Sequence, residues 1–109
     1  MSELTRFKCS SCEGGVPKLT TEELKKYLPQ VPKWSLIDGT KIEREYVFHD
    51  FKGALAFVNA CGEIAESEGH HPDLFLHGWN KVKISLYTHA VSGLTLNDFV
   101  VAAKIDALK

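Results

Sequence analysis

The segment from Asp50 to Gly69 constrains this chain most. Ala54, Phe57, Val58, Cys61, Ile64 and Ala65 recur there at i, i+3, i+4 and i+7, the spacing that lines one face of an α-helix. Asp50 can accept a hydrogen bond from the first helical turn, and Gly69 is placed to end the helix in a left-handed conformation. An amphipathic helix of this length needs a surface on which to bury its stripe, so the flanking segments decide the fold.

Those flanks read as hairpins. Runs at 34–37 and 41–48 enclose Asp38-Gly39, a strong signal for a tight turn between antiparallel strands. In the second run Ile42, Tyr46 and Phe48 share one face at period two. Arg44 shares it as well, so the alternation is imperfect. Beyond Gly69, residues 73–76 and 79–89 read as two strands around a turn at His77-Gly78. Val82, Ile84 and Leu86 form one face, and Lys83, Ser85, Tyr87 and His89 the other.

Two capping boxes mark two more helices. Thr20-Thr21-Glu22-Glu23 opens a short one that runs to about Leu28, with Pro29 and Pro32 beyond it. Thr95-Leu96-Asn97-Asp98 opens the last, with a stripe of Leu96, Phe99, Val100 and Ala103. Residues 1–19 read as an irregular arm, since Gly14, Gly15 and Pro17 discourage regular structure. The order α-β-β-α-β-β-α implies an α+β fold: a four-stranded antiparallel sheet with three helices packed on one face. The other face is left partly open, carrying Tyr87 and Lys83. Two sheet edges also remain to be covered, and self-association is one way to do so, so a homodimer or homotetramer is expected.

The chain has 109 residues, enough for a single domain spanning 1–109 and its one core. Its apolar fraction of 44% and charged fraction of 25% are those of an ordinary folded chain. A net charge of -1 gives no electrostatic case for nucleic acid. No apolar run approaches the length that spans a bilayer, and residues 1–8 lack the apolar centre of a signal peptide. The expected location is therefore the cytoplasm. Three sparse cysteines, Cys9, Cys12 and Cys61, suit free thiols in a reducing compartment. Cys9 and Cys12 have the spacing of half a zinc site, but no second such pair completes a ligand set. They also lack the strand-then-helix setting of a redox pair. Cys61 lies on the apolar stripe and reads as a core residue.

Chemistry concentrates in one stretch. Gly69-His70-His71-Pro72 holds two adjacent histidines, Glu66 lies four residues before His70, and His89 follows 18 residues after His71. Imidazole both gives and takes a proton near neutral pH, so a carboxylate and three histidines this close point to proton transfer. Adjacent side chains in an extended chain point to opposite faces, so the chain must bend for His70 and His71 to address one ligand. Pro72 holds His71 extended. If the helix continues to Gly69, Glu66 lies one turn before His70, within reach of it. His89 ends a strand, where a side chain can leave the sheet and face a cleft. The same residue types are also good zinc or iron ligands, although the segment is not His-Glu-x-x-His. Asp98 admits two readings, cap of the last helix or support of a histidine. Trp79 is able to stack on a ligand but, as a large aromatic, reads first as a packing residue; His49 and His77 read as surface residues.

The succession Glu66, three residues, His70-His71-Pro72, six residues, Trp79, nine residues, His89, eight residues, Asp98 resembles the signature of the pterin-4a-carbinolamine dehydratases, also called 4a-hydroxytetrahydrobiopterin dehydratases. The likeness extends through Asp50-Phe51, Ala56-Phe57-Val58, Asn80-Lys81-Val82, Thr88-His89 and Gly93-Leu94. The early Cys-x-x-Cys, followed by Gly-Gly and Pro, resembles bacterial-type members. No signature position departs from the pattern.

The resemblance implies a hydro-lyase in tetrahydrobiopterin recycling. It would dehydrate a 4a-hydroxytetrahydropterin to the quinonoid dihydropterin by histidine acid–base catalysis. No metal and no cofactor is implied, the pterin being the substrate, and no Gly-rich nucleotide loop is present. The working residues it implies are His70, His71 and His89, with Glu66 orienting a histidine and Asp98 in support. Pro72, Thr88, Ala90 and Val91 would line the pterin pocket beside the histidines. Two other readings stand next to this one. One is a histidine-ligated metal protein. The other is an interaction protein, since animal members of the family also bind a homeodomain transcription factor and stabilise its dimer.

Overall fold

A computed structural model describes residues 3–7 and 17–108. Cys9, Cys12, Gly14 and Gly15 lie outside the described residues, and with them the readings made of that segment.

The expected element order is observed. Helix α1 (Thr21–Tyr27) is followed by β1 (Ser35–Ile37), β2 (Lys41–Val47), α2 (Phe51–Glu68), β3 (Asp73–His77), β4 (Lys81–Leu86) and α3 (Leu96–Asp106). The strands form one antiparallel sheet in the order β1-β2-β4-β3. Asp38 and Gly39 both take positive φ, 51° and 69°, the backbone that a tight hairpin turn requires.

Register decides which face is buried. Ile42 sits opposite Leu86, Arg44 opposite Ile84, and Tyr46 opposite Val82; Leu74 and Leu76 pair with Ile84 and Val82 on the other side. Ile42, Tyr46, Val82, Ile84 and Leu86 are buried beneath the helices. Lys41, Glu43, Glu45, Phe75 and Lys83 occupy the alternate positions on the open face. The imperfect position, Arg44, has a partner on the core side. Its Nη1 lies 2.7 Å from Asp106 Oδ1, at the end of α3. The same oxygen accepts Trp34 Nε1–H at 2.9 Å and the Tyr46 hydroxyl. The guanidinium also lies 4.0 Å from the Tyr46 ring centroid, a favourable cation–π contact.

Helix α2 has the predicted ends. Asp50 accepts the Gly53 N–H at 2.7 Å, and Gly69 adopts φ 66°. Ala54, Phe57, Cys61 and Ala65 are buried on its stripe, with Val58 and Ile64 half-buried beside them. Burial pushes the Cys61 thiol up to about 12, so it stays a neutral core group at physiological pH.

Other expectations need correction. Helix α3 is buried on nearly every side, Asn97 to Ala103 without interruption, not along one stripe. Residues of the N-terminal arm cause this: Glu3–Arg6 wind a short 3-10 turn packed on α3, and Leu4 is only 1% exposed. The arm is therefore not wholly irregular. Strand β4 ends at Leu86, so Tyr87 does not lie on the open sheet face, and His89 falls in a 3-10 turn, His89–Val91, not at a strand end. Trp79 is not a packing residue. It occupies the β3–β4 turn with φ 59°, and 61% of its surface is exposed.

Candidate active site

Three chain segments meet at one end of the sheet: the end of α2, the residues after β4, and the first turn of α3. The hairpin register places Asp73 opposite Ser85, so the start of β3 and the end of β4 lie here. The turn carrying Trp79 is at the opposite end of the same hairpin.

Gly69 reverses the chain after α2 with a left-handed backbone, and the two histidines that follow enter different surroundings. His70 turns inward and is 6% exposed. Its Nε2 lies 2.6 Å from Asp98 Oδ1. His71 stays outside, where its Nε2 bonds Glu66 Oε2; both side chains are largely solvated. The helical one-turn rule pointed Glu66 toward His70. It fails because Gly69 ends the helix and takes His70 away from the α2 surface.

Asp98 is fully buried and performs both roles considered for it. One oxygen faces His70. The other, Oδ2, accepts the Thr95 main-chain N–H at 2.9 Å and the Thr88 hydroxyl at 2.8 Å. Thr88 and Thr95 hydroxyls are themselves 2.9 Å apart. A carboxylate in the first turn of a helix is also favoured by the helix dipole. The helix cap and the histidine support are thus one carboxylate used at two edges.

His89 is carried on a pinned loop. Thr88 and Gly93 pair across its base, with the Thr88 N–H 2.7 Å from the Gly93 carbonyl oxygen. His89 itself is exposed, and its ring lies 4.3 Å from that of Tyr87.

These groups surround a cavity of about 280 Å³. His70 and His71 line one wall; Tyr87, Thr88, His89 and Ala90 line the other. All three histidines singled out in the sequence therefore meet. Pro72 and Val91, expected in the wall, are half-buried and do not line it. Tyr87 is a wall residue that strand alternation assigned to the wrong face, because β4 stops one residue before it. Among the described residues, no group of three or more histidine, cysteine or acidic side chains is arranged to hold a metal ion.

A second hollow of about 320 Å³ lies on the open sheet face beside Lys33, Glu43, Glu45 and Lys83. It contains no histidine. Glu43 is already held there by Ser85, Lys41 and Lys83, so the histidine-lined cavity is the better candidate for proton chemistry. His77, half-buried on the same face, bonds Glu45 at 2.5 Å.

Comparison with known proteins places the chain in a family. The family model described as pterin 4 alpha carbinolamine dehydratase matches residues 17–108. Curated relatives include one from Rubrobacter xylanophilus, 46% identical, covering 99% of this chain and 100% of its own. Another, from Alkaliphilus metalliredigens, is 47% identical, covering 97% and 96%. Both bear the name "Putative pterin-4-alpha-carbinolamine dehydratase". A crystal structure of a transcriptional coactivator/pterin dehydratase from Brucella melitensis is similar with a TM-score of 0.79 and 33% identity, covering 84% of this chain and 98% of that one. With a family match across nearly all of the chain and relatives similar from end to end, this protein belongs to the pterin-4a-carbinolamine dehydratase family.

Proposed function

We propose that the protein is a hydro-lyase that converts 4a-hydroxytetrahydrobiopterin, or a close 4a-hydroxytetrahydropterin, to the quinonoid dihydropterin and water. The observation that carries this reading is the convergence of His70, His71 and His89 on one cavity, with Asp98 buried behind His70.

The chemistry asks for little else. One proton goes to the departing 4a-oxygen, which leaves as water, and the N5 proton is taken up by a base. No electrons are exchanged with the protein, so no redox cofactor is required, and the acid–base steps fall to imidazoles. His70, held by a buried carboxylate, and His89, on its pinned loop, are assigned the proton transfers. His71, at the solvated rim with Glu66, is assigned mainly to holding the pterin. Thr88 and Ala90 supply the remaining contacts.

Homo-oligomerisation, a cytoplasmic location and the absence of nucleic acid as a partner belong to the same proposal. Exposed Phe51 and Leu55 on α2 and exposed Phe75 on the edge strand β3 support the first of these. No helix among the described residues is long and apolar enough to cross a membrane. Sedimentation at micromolar concentration tests the assembly: a stable monomer would count against it.

The direct test of the activity is the dehydration of chemically made 4a-hydroxytetrahydropterin with and without the protein. Acceleration that disappears in a folded His70→Ala variant is expected. A rate equal to the spontaneous one in the presence of wild-type protein would overturn the reading.

A further inference from the structure

Behind His70 lies a set of buried groups, of which only Thr88 reaches the cavity wall. Thr95 and Asp98 are 0% exposed, and Thr88 is 2% exposed. Their hydrogen-bond directions follow from which groups hold protons. Asp98 Oδ2 accepts from the Thr88 hydroxyl. Since a hydroxyl has one proton to donate, the contact between the two threonines must be donated by Thr95 to Thr88 Oγ1. The Thr95 main-chain N–H also ends on Asp98 Oδ2. With both donors on one oxygen, Oδ1 is left facing His70 Nε2, and a carboxylate, which only accepts, pairs there with the Nε2–H tautomer.

We propose that Thr95 is a positioning residue for the dehydration. Its hydroxyl, relayed through Thr88, holds the Asp98 carboxylate in one orientation and so fixes His70 as its Nε2–H tautomer. The ring is then defined at its other nitrogen: in the neutral state Nδ1 is the position that takes up a proton. Asp98 Oδ2 is held by two direct donors, the Thr95 main-chain N–H and the Thr88 hydroxyl, and the Thr95 hydroxyl, bonded to Thr88 Oγ1, keeps the Thr88 proton turned toward the carboxylate. Without it the Thr88 hydroxyl is free to rotate away, Asp98 Oδ2 is then held by the main-chain N–H alone and the carboxylate can pivot, and the His70 ring can exchange tautomers. In its local sequence Thr95 is an ordinary helix cap. The fold gives it this second role by bringing the end of β4, where Thr88 sits, against the first turn of α3.

The inference rests on the dehydratase reading, and its test separates the two. Wild-type, Thr95→Val and Thr95→Ser proteins are compared in the 4a-hydroxytetrahydropterin assay, with kcat and KM resolved, and by nitrogen-15 NMR of the imidazoles. In the wild type, His70 should show a protonated Nε2 and an unprotonated Nδ1 when neutral. Thr95→Val should mix the tautomers and lower kcat on the order of tenfold, the scale for losing an outer partner of a working histidine, with KM little changed. Thr95→Ser restores the hydroxyl and should restore both readouts. Should Thr95→Val fail to fold, Thr88→Val cuts the same relay one step nearer the acid and must mix the His70 tautomers in the same way. An unchanged His70 signal in the folded valine variant, or failure of serine to rescue it, would overturn the relay. An inactive wild-type protein with the expected NMR signature would instead overturn the dehydratase reading and leave the relay standing.

Discussion

His70 Nε2 lies 2.6 Å from Asp98 Oδ1 although the two residues are 28 positions apart. One follows the end of α2 and the other lies in the first turn of α3. Both are shielded from water, where an unpartnered polar group is costly. The pair therefore ties two helices together and orients the His70 ring with the same bond.

Asp98→Asn separates these consequences. The amide presents a donor where the carboxylate only accepts, so either one of the Thr88, Thr95 and His70 bonds is left unsatisfied or His70 is forced into the opposite tautomer. The expected loss is about 1–3 kcal/mol of stability, read by urea unfolding. The dehydration rate should fall roughly 10²-fold or more, the lower end for a displaced general acid–base group.

His89→Ala and His71→Ala should differ in kind. Both side chains are exposed, so neither change should move the unfolding midpoint appreciably. Removing His89 should lower kcat by roughly 10²–10⁴-fold. Removing His71, which is bonded to Glu66 at the rim, should act chiefly on KM. Steady-state kinetics on both variants distinguishes them, and an equal fall in kcat for each would refute this division of labour.

Tyr87 provides an aromatic wall and packs on His89 at 4.3 Å between ring centroids. Such ring pairs contribute about 0.5–1.5 kcal/mol beyond area burial. Tyr87→Ala should therefore weaken pterin binding or turnover about two- to tenfold by that scale, while Tyr87→Phe should remain close to wild type. A large loss in the phenylalanine variant would mean that the hydroxyl, not the ring, is the working part.

Asp106 gathers Trp34, Arg44 and Tyr46 at the far end of α3. Asp106→Ala leaves all three donors without this acceptor and an arginine on the core-facing side of the sheet. The carboxylate is partly exposed, so water can replace some of what is lost. A destabilisation of about 1–3 kcal/mol is expected, with the histidine site and KM unaffected. Denaturant titration and kinetics at a temperature well below the transition check both halves.

Acid stability has one traceable source on the open sheet face. The Ser85 hydroxyl, 2.6 Å from Glu43 Oε2, holds that carboxyl below its ordinary value. Lys41 and Lys83 add to the effect against an opposing influence of burial. A carboxyl lowered by folding binds fewer protons in the folded chain than in the unfolded one. Its stabilisation is complete above the unfolded value and is lost as pH falls through the folded value. Ser85→Ala should therefore reduce stability at pH 7 and make little difference near pH 2. Unfolding midpoints measured across that range give the test; an equal loss at both ends would assign the effect to packing.

Much of the frame was legible in local sequence. The ends of α2 follow from Asp50 and Gly69, and the first hairpin from Asp38-Gly39, because caps and tight turns depend on a few neighbouring residues. The histidine cluster was legible for the same reason of residue type and spacing. The partners were not. Helical geometry points Glu66 at His70, yet the helix ends at Gly69, and His70 pairs with Asp98 while Glu66 pairs with His71. Alternation puts Tyr87 on the open face because it carries no mark of where a strand stops. The size of Trp79 suggests packing, whereas the turn holds it in solvent.

By itself, the sequence determined the element order, the apolar faces and the histidines able to move protons, since these are set by periodicity, capping and side-chain chemistry within a few residues. Only the tertiary structure decided that Asp98 holds His70, that Thr88 and Thr95 hold Asp98, and that His71 stays at the rim. Those relationships depend on how α2, β4 and α3 meet. That meeting is set by burial of the whole core and not by any local pattern.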